Sequence, residues 1–306
     1  MDSITEKAYA KINLYLDVEK KRDDGFHDIL TIMQLVTLYD EVTITLNQTK
    51  EISVQVVNMD IGVPENKNIA YIAAQKFYEN LNFEAIGRAD IKIKKNIPIA
   101  AGLAGGSADA AAVLRGLNDL YGKPYTTKEL CKIGLSIGSD VPFCIVGGVQ
   151  VCRGKGDVII DLYGIKCYDI VIACGEEKDS TAEQYKRLDE KFNNFKKYQF
   201  AKGFSETYGG FLSGRCRDAF KSMFNIFETL YEDDERMKNI KEVMYKNEAK
   251  IAMLSGSGPS IYGVFPSRFG AEEAQKDLER QNIKAYFCRP INKLYEEILP
   301  GEEPWR

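Results

Sequence analysis

The segment Pro98–Asp109, PIAAGLAGGSAD, constrains the fold more than any other part of the sequence. It is a glycine-rich turn between a half-buried strand, predicted over Asp90–Lys95 by alternating apolar and charged residues, and a helix predicted over Ala108–Leu120. Ser107 is the expected N-cap of this helix, and Gly122 is expected to end it. Because a helix start beyond a glycine loop directs free N–H groups and a positive dipole end at a ligand, the segment predicts a phosphate-binding site.

A purely structural alternative is a tight turn in which Gly102, Gly105 and Gly106 serve only close packing. The loop is not a Walker A sequence, because no Gly-Lys-Ser/Thr closes it, and its glycines lack the G-x-G-x-x-G spacing. A hydride-transfer enzyme is therefore a poor fit.

Composition limits the remaining classes. The chain has 306 residues, of which 44% are hydrophobic and 28% charged, so it is long enough for two domains with cores of their own. A formal net charge of −4 argues against nucleic-acid and membrane-surface partners, which favour basic proteins.

Three features predict a cytoplasmic location. The seven cysteines form no C-x-x-C pair, which is typical of buried thiols in a reducing compartment. Residues Met1–Lys7 lack the apolar core of a signal peptide, and the apolar run Val141–Val146 is too short to span a bilayer.

Periodicity predicts the other elements and an α+β fold class. Strands are expected over 8–18, 41–46, 52–57, 149–152, 158–162, 168–173 and 261–265, with 149–162 forming a hairpin around 153–157; helices are expected over 68–81, 127–137, 216–231, 236–246 and 271–280. A shift in composition predicts a domain boundary near residue 165, giving domains 1–165 and 166–306. The polar, aromatic-dotted region 186–214 is interpreted as a solvated insertion, with a substrate-side flap as the alternative.

Two short segments place polar residues where chemistry is plausible. In AYAKINLYL, residues 8–16, Lys11 and Asn13 are two apart on a strand and so project from the same face; a solvated outer face is the alternative. In GSDVPF, residues 138–143, Asp140 lies in a constrained turn before proline, where it could equally cap a helix.

Two further segments are less specific alone. SGSGPS, residues 255–260, is a loop whose backbone could approach a phosphate closely, or simply a flexible turn. Gly25–His27 contains the only histidine of the chain, and a lone histidine is more often structural than catalytic.

Together these segments resemble a known family. PIAAGLAGGSAD, SGSGPS and AYAKINLYL are similar to the three motifs of the GHMP kinases, and DGFH, GSDVPF and GGSADAA resemble the subfamily that acts on a cytidine-diphosphate-linked alcohol. The resemblance is strongest over residues 5–160 and returns at 251–265. It implies a two-domain α+β GHMP kinase fold, with a nucleotide-binding N-terminal domain, a smaller C-terminal domain and the active site in the cleft between them.

The implied reaction is transfer of the γ-phosphoryl group of ATP to the 2-hydroxyl of a cytidine-diphosphate-linked methylerythritol, in isoprenoid precursor synthesis without mevalonate. Asp140 would accept the hydroxyl proton or orient the hydroxyl. Lys11 would favour the ionised form of Asp140 and counter the developing charge, as phosphoryl transfer requires.

The resemblance also implies the binding residues. ATP would contact Asn68 and Lys95 near the adenine and the phosphate loop at Pro98, Ala101, Gly102, Leu103, Ala104, Gly105, Gly106 and Ser107. Mg²⁺ would arrive bound to ATP, and the protein alone would make no metal site. Ser107 could also help to hold Mg²⁺. The alcohol substrate would contact Asn13, Phe26, His27, Thr181, Tyr185, Gly256 and Gly258. Cytosine would stack between Phe26, where the family commonly has tyrosine, and Tyr185, and His27 would read the base.

One departure and two alternatives remain. The family commonly has Asn-Asp where this chain has Asn225-Ile226. A homoserine or mevalonate type of GHMP kinase is one alternative, against which DGFH argues. A non-catalytic nucleotide sensor of the same fold is the other, and a sensor has no need of both Lys11 and Asp140.

Overall fold

The computed structural model describes residues 2–82, 87–154, 158–162, 165, 168–175, 180–195 and 203–292. Its strands are β1 (Ser3–Lys21), β2 (His27–Leu46), β3 (Ser53–Val56), β4 (Ala89–Lys94), β5 (Val149–Gly154), β6 (Val158–Asp161), β7 (Asp169–Ala173), β8 (Ile251–Leu254), β9 (Ile261–Phe265), β10 (Ala285–Cys288) and β11 (Pro290–Ile291).

Its α-helices are α1 (Ile69–Glu79), α2 (Gly105–Leu120), α3 (Thr127–Leu135), α4 (Val141–Val146), α5 (Thr181–Lys191), α6 (Phe204–Leu212), α7 (Cys216–Phe220), α8 (Glu235–Lys246) and α9 (Arg268–Arg280). Short 3-10 helices cover Glu65–Lys67, Asn193–Phe195 and Ile226–Leu230. Helices combined with largely antiparallel sheets confirm the α+β class. The tip of the predicted hairpin, residues 155–157, and Cys167 lie outside the described residues.

The first sheet is organised around one long strand, β2. Among the described residues it has seven strands in the order β3-β4-β2-β5-β6, with β1 and β11 also paired to β2. β1 and β2 form an antiparallel ribbon with three register shifts, at Tyr9/Lys11, Asn13/Tyr15 and Val18/Lys20. Such bulges bend a strand and re-aim its side chains, so β2 can pair with β4 at one end and with β5 at the other.

Helix α2 is buried on all sides. Every residue from Ala108 to Asn118 is buried, and a Cβ on Gly116 would come within 2.4 Å of the end of the Ile44 side chain, so a larger residue would require that side chain to shift. The buried Arg115 donates to the Cys144 carbonyl at 2.7 Å, which links α2 to the end of α4. The predicted end of the helix is confirmed, since Gly122 follows its last turn with a φ of 76°.

The second sheet lies between two hydrophobic cores. Its four strands run in the order β10-β7-β9-β8, and alternate residues face opposite sides. Ile170, Ile172 and Tyr262 belong to the core shared with the first sheet, whereas Val171 and Ala173 belong to a second core under α8 and α9. The chain then returns through β11 to the first sheet, and the boundary near residue 165 stays a prediction.

Two predictions for the second half were wrong. The helix expected over 216–231 is broken into α7 and a 3-10 turn, because Asn225 adopts an extended backbone and donates to the carbonyls of Leu254 and Gly256, both at 2.8 Å. The region 186–214 is not a solvated insertion where it is described: Leu188, Phe195 and Phe211 are buried. Residues 196–202 of it lie outside the described residues.

Ile226, the departure from the family pattern, is fully buried in the second core, where an apolar side chain is the favourable choice. Within the described ranges, every helix is too short or too polar to cross a lipid bilayer.

Candidate active site

The phosphate loop reaches its helix through three residues with positive φ: Ala100 at 54°, Gly102 at 77° and Ala104 at 56°. Ala104, rather than Ser107, is the N-cap; the prediction was wrong because the left-handed turn at Ala104 starts α2 three residues early and places Ser107 inside its first turn. Ala104 has no side chain that could cap. The N–H groups of residues 105–107 therefore have no hydrogen-bond partner among the described residues and remain available to an anion.

Two other segments hold the phosphate loop in place. Ser255 Oγ donates to the Gly102 carbonyl at 3.0 Å, and the Ser260 N–H donates to the Ala101 carbonyl at 3.3 Å. The Lys11 N–H donates to the Leu103 carbonyl at 3.1 Å. A Cβ on Gly102 would lie 2.2 Å from the Ser255 carbonyl oxygen, so only glycine allows this approach.

Lys11 and Asn13 share one face of β1, as predicted. Lys11 Nζ donates to Asn13 Oδ1 at 2.7 Å, and the same oxygen accepts the Gly256 N–H at 2.9 Å. Asn13 Nδ2 donates to Thr31 Oγ1 at 2.8 Å. The amide of Asn13 thus connects the lysine to the SGSGPS loop.

Asp140 lies at the first turn of α4, 3.8 Å from Lys11 Nζ. It occupies the N-cap position, but its carboxylate makes no capping hydrogen bond, and a third of the side chain is exposed. The alternative role of helix cap is therefore not realised. Its carboxylate is free to accept a hydrogen bond from a hydroxyl placed beside Lys11.

A cavity of about 1070 Å³ brings most of the predicted residues together. Its lining includes Lys11, Asn13, Phe26, His27, Asn68, Lys95, Pro98, Ala101, Gly102, Ala104, Gly105, Gly106, Ser107, Asp140, Thr181, Tyr185 and Gly256. Leu103 and Gly258 are not part of this lining. The Leu103 side chain is buried in the core. The Gly258 N–H donates to the Ser255 carbonyl, a hydrogen bond within the SGSGPS loop.

Asn68 and Lys95, the two residues predicted to lie near the adenine, have internal partners that the sequence did not indicate. Asn68 caps α1, its Oδ1 accepting the Ala70 N–H at 2.9 Å. Lys95 Nζ lies between two buried carboxylates, 2.5 Å from Asp40 and 2.7 Å from Asp109. Lys95 therefore joins β2 to α2 beneath the phosphate loop.

The pKa values of this buried cluster are shifted. Burial raises the pKa of Asp109 to about 7; Lys95 opposes this rise and Asp40 adds to it. Burial alone lowers the pKa of Lys95, but the two carboxylates outweigh burial and raise it. One Asp109 oxygen, Oδ1, is buried without a hydrogen-bond partner, which adds to the cost of ionising this carboxyl group.

The lining of the same cavity also includes aromatic residues. Phe26 is 58% exposed, and the His27 imidazole stacks on Tyr185 with ring centres 4.7 Å apart. Thr181 Oγ1 lies 3.4 Å from Ser257 Oγ. Sequence reasoning missed Asp189, whose carboxylate contacts His27 Nε2 at 2.7 Å, because it is 162 positions away on a largely polar helix.

Within the described ranges, no group of three or more His, Cys, Asp or Glu side chains is arranged to hold a metal ion. The Ser107 hydroxyl faces Gly138, two residues before Asp140. This oxygen and the phosphates of a bound nucleotide are the kind of ligand that Mg²⁺ accepts.

Two family models match the chain in succession. The model of the GHMP kinases N terminal domain matches residues 68–148, and that of the GHMP kinases C terminal domain matches residues 218–284. The fold is that of the GHMP kinases.

Relatives narrow this class. A protein of Caldicellulosiruptor saccharolyticus named 4-diphosphocytidyl-2-C-methyl-D-erythritol kinase is 41% identical over 89% of this chain and 92% of its own length. A protein of Clostridioides difficile with the same name is 40% identical over 97% of this chain and 98% of its own length. A crystal structure of a 4-(cytidine 5'-diphospho)-2C-methyl-D-erythritol kinase shares the fold, with a TM-score of 0.76, 24% identity and coverage of 93% of this chain and 98% of that chain. The chain belongs to the 4-diphosphocytidyl-2-C-methyl-D-erythritol kinase family.

Proposed function

We propose that this chain transfers the γ-phosphoryl group of ATP to the 2-hydroxyl of 4-diphosphocytidyl-2-C-methyl-D-erythritol, a step in isoprenoid precursor synthesis. The observation that carries the proposal is the Lys11–Asp140 pair, 3.8 Å apart in the wall of a cavity that also contains the phosphate loop and His27. A nucleotide sensor would need the loop alone. A paired lysine and carboxylate in the same cavity serves a reaction at a hydroxyl.

In this reaction Asp140 accepts the proton of the 2-hydroxyl, or a hydrogen bond from it, while the hydroxyl oxygen forms a bond to the γ-phosphorus. The bond between the γ-phosphorus and the β–γ bridging oxygen breaks, and ADP leaves. Lys11 Nζ lies 3.8 Å from the carboxylate, and from there the ammonium balances the negative charge that develops on a hydroxyl placed beside it. Asn13 holds Lys11 in position. The two side chains thus divide the work between proton acceptance and charge stabilisation.

The free N–H groups at the start of α2 are the proposed cradle for the ATP phosphates. Asn68 and Lys95 are proposed to lie near the adenine, with the Lys95 ammonium oriented by Asp40 and Asp109. Mg²⁺ enters with ATP, and Ser107 is its proposed protein ligand. When bound, the metal neutralises phosphate charge.

Phe26 and His27 are the proposed contacts for cytosine, with Thr181 and Gly256 near the rest of the substrate. The large exposed ring of Phe26 supports this, because an exposed aromatic side chain in a cavity wall offers a stacking face. Tyr185 already stacks on His27, so its proposed contribution includes fixing the histidine ring.

A cytoplasmic site of action is supported by six free cysteines among the described residues.

A coupled ADP-release assay with Mg-ATP tests the proposal. Turnover is expected with 4-diphosphocytidyl-2-C-methyl-D-erythritol and not with 2-C-methyl-D-erythritol 4-phosphate, homoserine or mevalonate. Turnover confined to homoserine or mevalonate would contradict the substrate assignment but not the kinase class. ATP binding without turnover of any of the four would contradict catalysis and favour the sensor.

A further inference from the structure

The imidazole of His27 is fixed by three neighbours. Its Nε2 lies 2.7 Å from Asp189 Oδ1, its face stacks on Tyr185 with an interplanar angle of 22°, and Phe195 meets it edge-on at 5.9 Å. Only 6% of the His27 side chain is exposed. Asp189 and Tyr185 are four residues apart and therefore lie on the same face of α5.

Asp189 is shared between His27 and a lysine. Lys21 pairs directly with His27 across the β1–β2 ribbon, and Lys21 Nζ lies 2.6 Å from Asp189 Oδ2. Burial alone raises the pKa of Asp189, but hydrogen bonds from Lys21 and His27 outweigh burial and hold the pKa below its usual value. Asp189 is therefore a carboxylate at neutral pH.

An ionised carboxylate can only accept hydrogen bonds, so His27 Nε2 must carry the hydrogen. In the neutral ring, Nδ1 is then a hydrogen-bond acceptor. Lys21 holds the other carboxylate oxygen, so Asp189 Oδ1 stays directed at His27 Nε2. Among the described residues, Asp189 is the one hydrogen-bond partner of the imidazole, and Nδ1 is left for a ligand in the cavity.

We propose that Asp189, with Lys21, is a positioning residue that selects cytosine over uracil by keeping His27 Nδ1 an acceptor. Cytosine presents an amino donor at N4, whereas uracil presents an acceptor at O4, so the same nitrogen attracts one base and repels the other. The inference rests on the proposed function, because it gives the base-reading role to the His27 wall of the cavity. It adds the residue that sets the direction of the hydrogen bond.

Asp189→Asn reverses this arrangement in a defined way. The Lys21 ammonium can only donate, so it retains the amide oxygen, and the amide nitrogen is then directed at His27 Nε2. Nε2 becomes an acceptor and the ring hydrogen moves to Nδ1. We expect the preference for CDP over UDP to fall by about tenfold to a hundredfold. Glu190→Gln is the matched control, since it makes the same chemical change at the next, exposed position of α5.

The experiment uses the fact that the chain has a single histidine. Protein labelled with ¹⁵N-histidine gives one imidazole spectrum, from which long-range ¹H–¹⁵N correlations at pH 8 identify the protonated nitrogen. We expect Nε2–H in the wild type and in Glu190→Gln, and Nδ1–H in Asp189→Asn. Calorimetric titration with CDP and UDP gives the base preference of each protein, and the KM for ATP should not change.

A wild-type ring protonated at Nδ1, or a wild type that binds CDP and UDP equally, overturns the proposal. The proposal is also overturned if Asp189→Asn moves the ring hydrogen to Nδ1 but leaves the ratio of CDP to UDP affinity unchanged. Should Asp189→Asn not fold, Lys21→Gln tests the same idea: loss of the ammonium that holds Asp189 Oδ2 releases the carboxylate from its position beside His27 and should lower the CDP preference. A preference for CDP without turnover of the cytidine-linked alcohol would contradict the proposed reaction and leave this inference standing.

Discussion

Replacing Asp140 with asparagine separates catalysis from stability at this site. The change keeps the shape of the side chain and removes its charge, and with it the ability to accept a proton. If Asp140 is the base or the orienting group for the hydroxyl, kcat should fall by about 10²–10⁴, equivalent to about 2.7–5.5 kcal/mol of transition-state stabilisation. The KM for ATP should stay close to that of the wild type, because the phosphate loop does not depend on Asp140.

The structure predicts a small effect on stability. Asp140 makes no capping hydrogen bond, and its ion pair with Lys11 is 3.8 Å long with one partner a third exposed. Such a pair contributes less than about 1 kcal/mol, so Tm should change by no more than about 4 °C. A loss of activity from unfolding would need a far larger change.

Asp119→Asn is the matched control. Asp119 also forms a 3.8 Å ion pair, with Lys123, and 35% of its side chain is exposed, but it is not part of the cavity lining. The assay is single-turnover phosphoryl transfer with Mg-ATP, together with thermal denaturation of all three proteins. A rate for Asp140→Asn within threefold of the control would refute a catalytic role, and a large drop in Tm would show that the carboxylate is structural.

Three further predictions concern the loop, the buried cluster and the base site. Gly102→Ala should lower Tm and ATP affinity far more than Gly122→Ala. Both glycines have φ near +77°, but only a Cβ at position 102 meets a backbone oxygen, that of Ser255 at 2.2 Å. Equal effects of the two variants in thermal denaturation and ATP titration would rule out interlocking of the loops. Because burial raises the folded-state pKa of Asp109 from 3.8 to about 7, the folded protein binds the extra proton and the free energy of unfolding should decrease as pH rises from 4 to 7, by about 4 kcal/mol at most. Urea denaturation of Asp109→Asn at pH 5 and pH 8 should show this part of the slope missing, and identical slopes would contradict the shifted pKa. Phe26→Ala should change the free energy of unfolding by less than about 0.5 kcal/mol, because Phe26 is 58% exposed. The same variant should raise the KM for the cytidine-linked substrate about tenfold. An unchanged KM would exclude stacking of cytosine on this ring.

Local sequence predicted the parts of the site that depend on local geometry. A glycine loop before a helix, two polar residues two apart on a strand and a carboxylate before a proline each specify a backbone shape, and the cavity contains all three. The position of the helix start was wrong because a non-glycine residue, Ala104, adopts the left-handed turn. Alanine gives no sequence signal for that conformation.

Long-range partners were beyond local reasoning. Asp40 and Asp109 hold Lys95 across 55 and 14 positions, and Asp189 holds His27 across 162. A carboxylate on a polar helix is ordinarily solvated, so nothing near Asp189 indicated burial. Its pairing follows from how α5 packs on the β1–β2 ribbon, which is decided by buried neighbours such as Leu188.

The contacts of Lys11 explain how distant segments can serve one reaction. Its backbone N–H binds the phosphate loop at Leu103, and its ammonium binds Asn13, which in turn binds the Gly256 N–H. One strand residue is therefore tied to the loop proposed for ATP and, through Asn13, to the loop of the second sheet. Because displacement of either loop would shift the ammonium relative to Asp140, the distance between phosphoryl donor and acceptor depends on these backbone bonds as much as on the two charged groups.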